Sequence, residues 1–554
     1  MSKASVPFWI CTLAIVFLAG FIRFHALDTY PILFNQDEME LGYDAWSIWQ
    51  TGRDQHDELL PLFFRSFDDY VSPVAHYVTA PFVGLLGLSE FSTRLPAAVL
   101  GVATVFLVAL LGREWFSPAA GVVAALLMAV EPWPVNYSRI AFPASLVPFF
   151  TTAALFTFSR AMSALRGDTG RRRQRIAWLM GCALAFALLT ATYPTMKLQA
   201  PLLLLICVVA AGPLLWQHRW TTLYWLIFFV ICINPYFTQQ IFRWNTVQAR
   251  FDQVALTATG PGTSPVSQAL VLYLSHFDPR LVFFDGFGGG LSVRPAGIGE
   301  LTWLEIPLLL IGVIGLIRFK PARRLGFNLP PLLALWCLAF PIADSLTTGH
   351  YGLAHEIRFC SVFPLPELVA GYGALVLWRV LIAYRRPLAY LAAAAGGVVL
   401  VIFSARFLDY AFNPAQLAAP KEDMPYNVGL GPMLDVTVKV EKACDMVWIE
   451  PFYQPYIYYL FLSKYPPPKF QELSRTQIAA NALNTIGVDH VRFEAPPADP
   501  PPPAGCETQS HFLYWITRQT AGVPGWVPIA TYRNAAGQPL WTVLTREARP
   551  DYEF

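Results

Sequence analysis

The sequence predicts a polytopic α-helical membrane protein that ends in a C-terminal α/β domain. Of its 554 residues, 55% are hydrophobic and only 14% are charged, and the mean hydropathy is +0.44. This is more apolar sequence than the core of a soluble protein requires. Near residue 405 the composition changes, because short strand-like runs replace the long apolar ones. We therefore divide the chain into a membrane domain, 1–404, and a tail, 405–554.

Twelve apolar runs in the membrane domain are candidates for helices. They lie at 6–22, 73–88, 95–112, 118–130, 143–160, 176–193, 198–216, 220–235, 301–317, 328–343, 359–379 and 387–404. Several are shorter than the roughly 20 residues that a perpendicular crossing requires. The first run lacks a small-residue cleavage site and further apolar runs follow it. It therefore predicts a retained helix rather than a removed signal peptide.

Short clusters of basic residues predict the orientation of these helices, because the positive-inside rule places such clusters in the cytoplasm. The clusters are Arg166, Arg171, Arg172, Arg173 and Arg175; Arg318, Lys320, Arg323 and Arg324; and Arg379, Arg385 and Arg386. Counted from them, the N-terminus is cytoplasmic, and the polar loops and the tail are external. The external segments are 28–72, 131–142, 194–197, 236–300, 344–358 and the chain after 405.

The number of crossings follows from the same count, with one inconsistency. The loops 28–72 and 131–142 are both external, yet three apolar runs, 73–88, 95–112 and 118–130, lie between them. An even number of crossings is required there, so one of the three runs is not a full crossing. Within a range of about 11 to 13 transmembrane helices, we predict about eleven crossings.

Overall charge and cysteine content narrow the function further. The net charge is +2 and the pI is about 8.1, so the chain lacks the basic excess that nucleic-acid binding requires. Six cysteines lie in or beside apolar runs, where cysteine behaves as a small hydrophobic residue. Cys444 and Cys506 lie in the external tail, where they form a disulfide in an oxidising compartment or remain free thiols.

The tail has the sequence pattern of a small α/β domain. Strand-like runs occur at 445–450 and 488–493, and WVPIATYR and PLWTVLTR flank the turn NAAGQ. QPYIYYLFL predicts a helix, and APPADPPPPAG is a stiff proline-rich insert. The tail contains no catalytic motif, so we expect it to stabilise the protein or recruit an acceptor.

The segment FNQDEMELGYDAWSIWQTGRDQHDELLPLFFRSFDDYVSPVAHY, at 34–77, is polar and acidic between two apolar runs. Asp37 and Glu38 begin a stretch with apolar residues at helical spacing that stops at Gly52. Two interpretations fit this pattern. Asp37 is a helix N-cap and Glu40 completes a capping box, or Asp37 is a carboxylate held beside a membrane-embedded substrate.

Several cations lie at the external ends of apolar runs, namely Arg139, Lys197, His355 and Arg358. A charge at bilayer depth costs about 2.5 to 3.5 kcal/mol, so it usually faces a polar cavity or a partner. Snorkelling to the headgroups explains any one of them. Together, on the face of the acidic segment, they suit the phosphate of a lipid-linked donor, with Asp37 as the base that activates a hydroxyl. This chemistry requires no metal or other cofactor, although a divalent cation is compatible with it.

Four motifs on the external side resemble those of a known family. They are the DE pair of the first external loop, the SR of NYSRIAF, YLSHFDPRLVFFDG at 273–286, and SLTTGHYGLAHEIR before the last helices. In this order they resemble the bacterial GT-C glycosyltransferases that use polyprenyl-phosphate sugars, in the protein O-mannosyltransferase-like and Rgt-type branch. The resemblance covers the membrane domain, and the tail matches only in general character.

The resemblance implies roles for individual residues. Asp37 corresponds to the essential acid of the first external loop. The implied donor-binding residues are Glu38, Arg139, Tyr193, Lys197, His355 and Arg358. The family often has a second acid just after the arginine, but IAFPASLVP has none, so either Asp68 or Asp69 replaces it or Asp37 acts alone. The candidates on the acceptor side are Asp68, Asp69 and His76.

The predicted function is transfer of a hexose or pentose, with inversion, from a polyprenyl-phosphate donor to a hydroxyl or phosphate of a lipid, glycan or protein acceptor. The predicted partners are this donor, the acceptor and membrane lipids. Two alternatives remain open. A flippase or transporter also lines its pathway with charges, but it more often shows internal repeats or broken helices, which we do not find in the sequence. In a scaffold for envelope assembly, the grouping of charges would be accidental.

Overall fold

The computed structural model describes residues 6–31, 34–66, 69–167, 172–242, 256, 264–287, 295, 297–319, 325–347, 354–413, 446–450, 455–477, 487–497, 513–517, 524–533 and 539–546. The chain folds as two compact units. The membrane unit comprises Met1–Leu27, Asp69–Ala75 and Leu95–Ala411, and the tail unit comprises Asp28–Asp68, His76–Arg94 and Phe412–Phe554. This division differs from the predicted boundary at 404/405, because most of the first polar loop groups with the tail.

Up to the basic cluster that starts at Arg166, the chain forms the elements α1 (Val6–Phe24), α2 (Gln36–Thr51), β1 (Phe64–Ser66), β2 (Asp69–Val71), α3 (Val74–Leu86), α4 (Glu90–Trp115), α5 (Pro118–Val130), α6 (Pro132–Tyr137) and α7 (Val147–Leu165). It continues with α8 (Arg172–Thr190), α9 (Met196–Ala210), α10 (Gly212–Gln217), α11 (Arg219–Phe242), α12 (Pro265–Ser275), α13 (Glu305–Arg318), α14 (Leu329–Ala339), α15 (Ile342–Ser345), α16 (Leu365–Tyr384) and α17 (Arg386–Ala411). Every predicted apolar run overlaps one of these helices.

The helices confirm that the protein is a multi-pass membrane protein. In the described part of the chain, five helical stretches are long and apolar enough to cross a membrane: Val6–Phe24, Glu90–Trp115, Arg219–Gln239, Cys360–Tyr384 and Arg386–Ala411. Their outward side chains are large and apolar, as lipid contact requires. On α1, for example, Ile10, Phe17 and Phe21 are 63%, 78% and 63% exposed.

Two short helices bear on the predicted crossing count. Both α3 and α5 have 13 residues, which span about 20 Å at 1.5 Å per residue, against a hydrocarbon core of about 30 Å. In the membrane unit, α5 packs against α1 and α16. From His76 onward, α3 belongs instead to the tail unit. This grouping favours α3 as the apolar run that is not a full crossing.

Glycines let the helices of the membrane unit approach closely. A Cβ atom at Gly371 of α16 would lie 2.5 Å from the carbonyl oxygen of Ala120 in α5. A Cβ atom at Gly373 would collide with the carbonyl oxygen of Leu308 in α13. Small residues therefore bring α16 against two neighbours at once, as is common between transmembrane helices.

The tail unit contains a five-stranded sheet and two further helices. The elements are β3 (Met446–Ile449), α18 (Pro455–Leu462), α19 (Pro467–Gln477), β4 (Val491–Arg492), β5 (Leu513–Thr517), β6 (Val527–Arg533) and β7 (Pro539–Thr545). The strand order is β4-β3-β5-β7-β6, parallel from β4 to β5 and antiparallel from β5 to β6. This confirms the predicted α/β domain. The sequence analysis missed β5 and α19, although the aromatic and β-branched run LYWIT is typical of a strand.

Within the tail unit, α2 packs against α18 and α19. The hydroxyl of Tyr43 donates to the carbonyl oxygen of Tyr465 at 2.8 Å, and Nε2 of Gln471 donates to Oγ of Ser47 at 3.0 Å. A Cβ atom at Gly42 would meet Thr93 at 2.6 Å and Phe461 at 2.9 Å. The acidic helix is therefore held by the C-terminal domain.

The cysteine predictions have two outcomes. Cys11, Cys182, Cys207, Cys232, Cys337 and Cys360 are free thiols of the membrane unit. Cys444 and Cys506 lie outside the described residues, and so does the turn NAAGQ. The disulfide therefore stays a prediction.

Candidate active site

The N-terminus of α2 is capped by Asn35, not by Asp37. Oδ1 of Asn35 accepts from the backbone N–H of Glu38 at 3.0 Å, and Oε2 of Glu38 accepts from the backbone N–H of Asn35 at 3.4 Å. The predicted capping box of Asp37 and Glu40 is therefore wrong. Asparagine and aspartate cap helices about equally well, and the spacing of Asn35 and Glu38 also fits a capping box. The helix ends at Gly52, as predicted, with a φ of 71°.

Glu38 also forms a buried two-point ion pair with Arg94. Nε of Arg94 lies 2.8 Å from Oε1 and Nη2 lies 3.0 Å from Oε2, and both side chains are 0% exposed. Arg94 donates in addition to the carbonyl oxygen of Pro31 at 3.0 Å and lies 5.0 Å from the ring centre of Phe34. These contacts fix the first turn of α2. They favour a positioning role for Glu38 over the donor-binding role that the resemblance implies.

Asp37 is half-buried in the first turn of α2, between the capping asparagine and the ion-paired glutamate. The partial positive charge at a helix N-terminus stabilises a negative side chain there. Since Asn35 provides the cap, the carboxylate of Asp37 is not required for helix capping. This position fits the predicted base.

One turn further along α2, a cluster of ionisable side chains is fully buried. Glu40 is 2% exposed, and Asp44, Asp54 and His76 are at most 1% exposed. Burial raises the pKa of Glu40 to about 8, and the carboxylates of Asp37 and Asp54 contribute to the rise. Burial also raises the pKa of Asp54 to about 6. His76, a candidate on the acceptor side, thus lies inside this cluster.

The other acceptor-side candidates are less defined. Asp69 is the first residue of β2, and Asp68 lies outside the described residues. The role of Asp68 or Asp69 as the second acid therefore stays a prediction.

In the membrane unit, Arg139 binds the C-terminal end of α1. Its guanidinium donates to the carbonyl oxygens of Ile22 at 2.6 Å, Arg23 at 3.0 Å, His25 at 2.8 Å and Ala26 at 3.3 Å. The side chain is 4% exposed. Carbonyl groups at the end of a helix lack partners in the helix, and a cation there is favourable. The geometry therefore favours a helix-capping role over the implied contact with the donor.

Arg23 repeats this arrangement on a second helix. Its guanidinium donates to the carbonyl oxygens of Met128 and Ala129 at 2.9 Å each, at the end of α5. A Cβ atom at Gly101 of α4 would lie 3.1 Å from Nε of Arg23. The two arginines thus donate hydrogen bonds to the C-terminal ends of two neighbouring helices, α1 and α5.

Arg358 has a different environment, because it faces a buried aspartate that the sequence analysis missed. Its Nη1 donates to Oγ1 of Thr347 at 2.7 Å and lies 3.8 Å from Oδ1 of Asp344. Asp344 is 1% exposed, and its Oδ2 accepts from the backbone N–H of His355 at 2.9 Å and lies 3.1 Å from Nε2 of His276. The Arg358 side chain is 21% exposed. Asp344 thus positions two of the predicted donor-binding residues.

Tyr193 lies on the turn that leads into α9, and Lys197 lies in the first turn of α9 itself. The hydroxyl of Thr195 in this turn donates to the carbonyl oxygen of Arg358 at 2.8 Å, so the two predicted cations are on connected segments. Nζ of Lys197 lies 5.8 Å from the ring centre of Tyr236. Tyr193 is half-buried, 6.2 Å from Phe142 between ring centres. The structure thus connects the segments of Lys197 and Arg358, two of the four cations that the sequence predicted around a phosphate.

The membrane unit contains a large apolar cavity, and His276 is one of the residues that line it. Its volume is about 780 Å³, which is within the range of ligand-binding pockets. The lining includes Trp133, Phe277, Phe287, Leu309, Phe340 and Phe359. Since Asp344 binds His276, the cavity adjoins the polar group around Arg358.

The sequence offered only weak signals for the residues it missed. Asp344 is an acid directly after the apolar run 328–343, and His276 lies within the motif YLSHFDPR. Neither position shows that the two side chains meet, because 67 residues separate them in the chain. Their pairing is a consequence of the tertiary fold.

Comparison with known proteins supports the fold and the resemblance. The profile of the family described as dolichyl-phosphate-mannose-protein mannosyltransferase matches residues 70–237. The protein named "Putative mannosyltransferase YkcB" from Bacillus subtilis (strain 168) is 28% identical over 161 residues. These cover 27% of this chain and 21% of that protein.

Solved structures match over nearly the whole length. The crystal structure of ArnT from Cupriavidus metallidurans in the apo state has a TM-score of 0.57 and 13% identity, and covers 98% of this chain and 99% of that chain. The same protein bound to undecaprenyl phosphate has a TM-score of 0.56 and 12% identity, with 99% of both chains covered. The predicted GT-C fold with a C-terminal domain is thereby confirmed.

Proposed function

We propose that this protein is a membrane glycosyltransferase that uses a polyprenyl-phosphate sugar as donor. The observation that carries the proposal is the apolar cavity of about 780 Å³ that adjoins the group of Asp344, His276 and Arg358. A lipid-linked sugar has an apolar tail and an anionic phosphate in one molecule. The tail fits the cavity, and the phosphate fits the cations.

In the proposed site, Arg358, Lys197 and His355 bind the donor phosphate, and Tyr193 lies beside them. A guanidinium has five N–H donors in a planar arrangement that suits the oxygens of a phosphate. Asp344 lies 3.8 Å from Arg358, whose side chain is 21% exposed. Charge accumulates on the phosphate as the glycosidic bond breaks, and fixed cations stabilise that charge.

We further propose Asp37, in the tail unit, as the general base. The acceptor hydroxyl forms a bond to the anomeric carbon, its proton moves to the carboxylate of Asp37, and the bond from that carbon to the phosphate oxygen breaks. Polyprenyl phosphate leaves with the electron pair. A single displacement of this kind inverts the anomeric configuration. Asp37 does not provide the helix cap, which supports its assignment to this role.

The donor sugar and the side of the membrane are part of the proposal. Both the matching family and the Bacillus protein carry mannosyltransferase in their names, so mannose is the first sugar to test. With α3 outside the count, we propose eleven crossings, a cytoplasmic N-terminus and transfer on the periplasmic face of a bacterial inner membrane. Cysteine labelling at positions 55, 170, 270 and 450 tests this, and finding 170 on the same side as 450 contradicts it.

The decisive experiment incubates the purified protein with a panel of polyprenyl-phosphate sugars and measures release of polyprenyl phosphate. General-base catalysis contributes about a hundred- to ten-thousandfold, so Asp37→Asn is expected to lose that much turnover. Binding of the donor should change little. Glu472→Gln makes the same chemical change on the exposed face of α19 and should retain full turnover.

Three outcomes oppose the proposal in different ways. Near-normal transfer by folded Asp37→Asn removes Asp37 from the mechanism. Movement of the lipid-linked sugar across a vesicle membrane without release of polyprenyl phosphate supports the transporter alternative. Retention of the anomeric configuration in the product, measured by NMR, excludes the single displacement.

A further inference from the structure

The buried cluster on α2 has the composition of a metal site. In the described residues, the side chains of Glu40, Asp44 and His76 are the group whose ligand atoms all lie within 4.8 Å of one another. Oε2 of Glu40 and Nε2 of His76 are 3.8 Å apart. Glu40 and Asp44 are one helical turn apart and therefore share a face of α2. His76 comes from α3, and all three residues belong to the tail unit.

The cluster contains more acidic than basic side chains. Three acidic side chains, Glu40, Asp44 and Asp54, are at most 2% exposed, and His76 is the base that lies among them. Buried carboxylates are usually paired, hydrogen-bonded or bound to a metal. Oε1 of Glu40 and Oδ2 of Asp54 are buried and accept no hydrogen bond from any residue that the structure describes. A cation would supply the missing partner.

The surroundings hold these side chains in place. The ring of His76 stacks on Phe64 with 3.9 Å between ring centres and an angle of 5°. Oδ1 of Asp44 accepts from the backbone N–H of Gln55 at 2.7 Å, and Nε2 of Gln55 lies 3.4 Å from Oδ2. Hydrogen bonds of this kind orient metal ligands. The cluster is therefore a fixed arrangement rather than a chance meeting of mobile side chains.

We propose that Glu40, Asp44 and His76 bind a divalent transition-metal ion of the zinc class. Two carboxylates and one imidazole suit zinc better than calcium or magnesium, which prefer all-oxygen sites. Zinc ligands at about 2.0 to 2.2 Å lie roughly 3.3 Å apart in a tetrahedral site. The separation of 3.8 Å between Glu40 and His76 requires a contraction of only tenths of an ångström. The ion ties α2 to α3.

The role of this ion is structural. Asp37 lies about one turn before Glu40, so a metal that fixes α2 also steadies the proposed base without contacting the substrate. The metal site does not depend on the proposed function. Its test uses metal content and thermal stability, so its failure and the failure of glycosyl transfer are distinguishable.

The test uses the full-length protein in detergent. The protein is stripped with a chelator, incubated with Zn²⁺, desalted and analysed for metal by mass spectrometry. Wild type is expected to retain about one zinc per chain, and Glu40→Gln and His76→Ala are expected to lose most of it. Asp37→Asn and Glu472→Gln should retain zinc like wild type. Zn²⁺, but not Mg²⁺, should raise the melting temperature of stripped wild type.

Three results would reject the proposed metal site. Equal zinc retention by wild type, Glu40→Gln and His76→Ala rejects the site. Should those variants fail to fold, stripped wild type decides, because a melting temperature unchanged by Zn²⁺, together with no retained zinc, also rejects it. Loss of zinc in Asp37→Asn would place the ion at the first turn instead and overturn the assignment.

Discussion

Two carboxylate–arginine pairs, one in each unit, show how differently the same chemistry is used. Arg94 donates two hydrogen bonds to the carboxylate of Glu38, from Nε at 2.8 Å and from Nη2 at 3.0 Å, and both side chains are 0% exposed. Asp344 and Arg358 are 3.8 Å apart, and Arg358 is 21% exposed. The first arrangement uses both carboxylate oxygens for one arginine. The second leaves part of the arginine side chain exposed, which the proposed binding of a phosphate requires.

Exposure and geometry of an arginine therefore predict its role better than its place in a motif. Arg139 and Arg358 were assigned the same donor-binding role from the sequence. Arg139 is 4% exposed and binds four carbonyl oxygens at a helix end. We therefore expect Arg94 and Arg139 to act on stability and Arg358 to act on turnover.

The largest effect is expected from Arg94→Ala. It leaves Glu38 as a buried, unpaired carboxylate, which typically costs about 3 to 5 kcal/mol. The melting temperature of the purified protein should fall strongly, and Arg94→Lys should rescue it only in part, because lysine cannot bind both oxygens of Glu38. Arg475→Ala is the matched control, since that arginine is 61% exposed. Equal stability of the two alanine variants would contradict a stabilising role for the buried ion pair of Glu38 and Arg94.

The next effect concerns Arg139→Ala. Loss of a charged donor that leaves buried carbonyl groups without partners costs about 2 to 3 kcal/mol. We expect a lower melting temperature but unchanged affinity for the donor in the protein that remains folded. Titration with a polyprenyl-phosphate sugar measures this. A loss of donor affinity with unchanged stability would restore the donor-binding role that the resemblance implies.

Arg358→Ala should give the opposite result. A charge-assisted hydrogen bond contributes about 1.5 to 3 kcal/mol, so kcat/KM should fall roughly 10- to 100-fold. Stability should change by less than about 1 kcal/mol, because Arg358 is 21% exposed and 3.8 Å from Asp344, whose Oδ2 keeps its hydrogen bond from the backbone N–H of His355. Arg358→Lys should recover part of the rate. Wild-type kinetics in Arg358→Ala would remove this residue from the donor site.

The smallest effect on stability is expected for the pair of Asp57 and Arg475, because the side chain of Arg475 is 61% exposed. The hydrogen bond from Arg475 lowers the pKa of Asp57. The pair therefore contributes stability above the unfolded pKa of about 3.9 and loses it as the pH falls through the lower folded value. Asp57→Asn should lower the melting temperature slightly at pH 7, and the difference from wild type should shrink near pH 3. A difference independent of pH would exclude the charge as its cause.

The sequence alone determined the elements that local physics controls. Long apolar runs became helices because the bilayer leaves no other way to satisfy their backbone groups. The end of α2 at Gly52 followed from the freedom of glycine to adopt a positive φ. The strands at β3, β4, β6 and β7 followed from short β-branched and aromatic runs. Asp37 could be selected because an acid at a helix start is visible in a short window.

Only the tertiary structure decided which side chains meet. Asn35, rather than Asp37, caps α2, and Arg94, which lies 56 residues beyond Glu38, completes the first turn. His276 pairs with Asp344, and His76 joins Glu40 and Asp44, although tens of residues separate the partners in each case. Such pairings depend on how helices pack, which side-chain spacing in the sequence does not record. The charge of a side chain follows from the residue type, whereas its partner and its burial depend on how the chain folds.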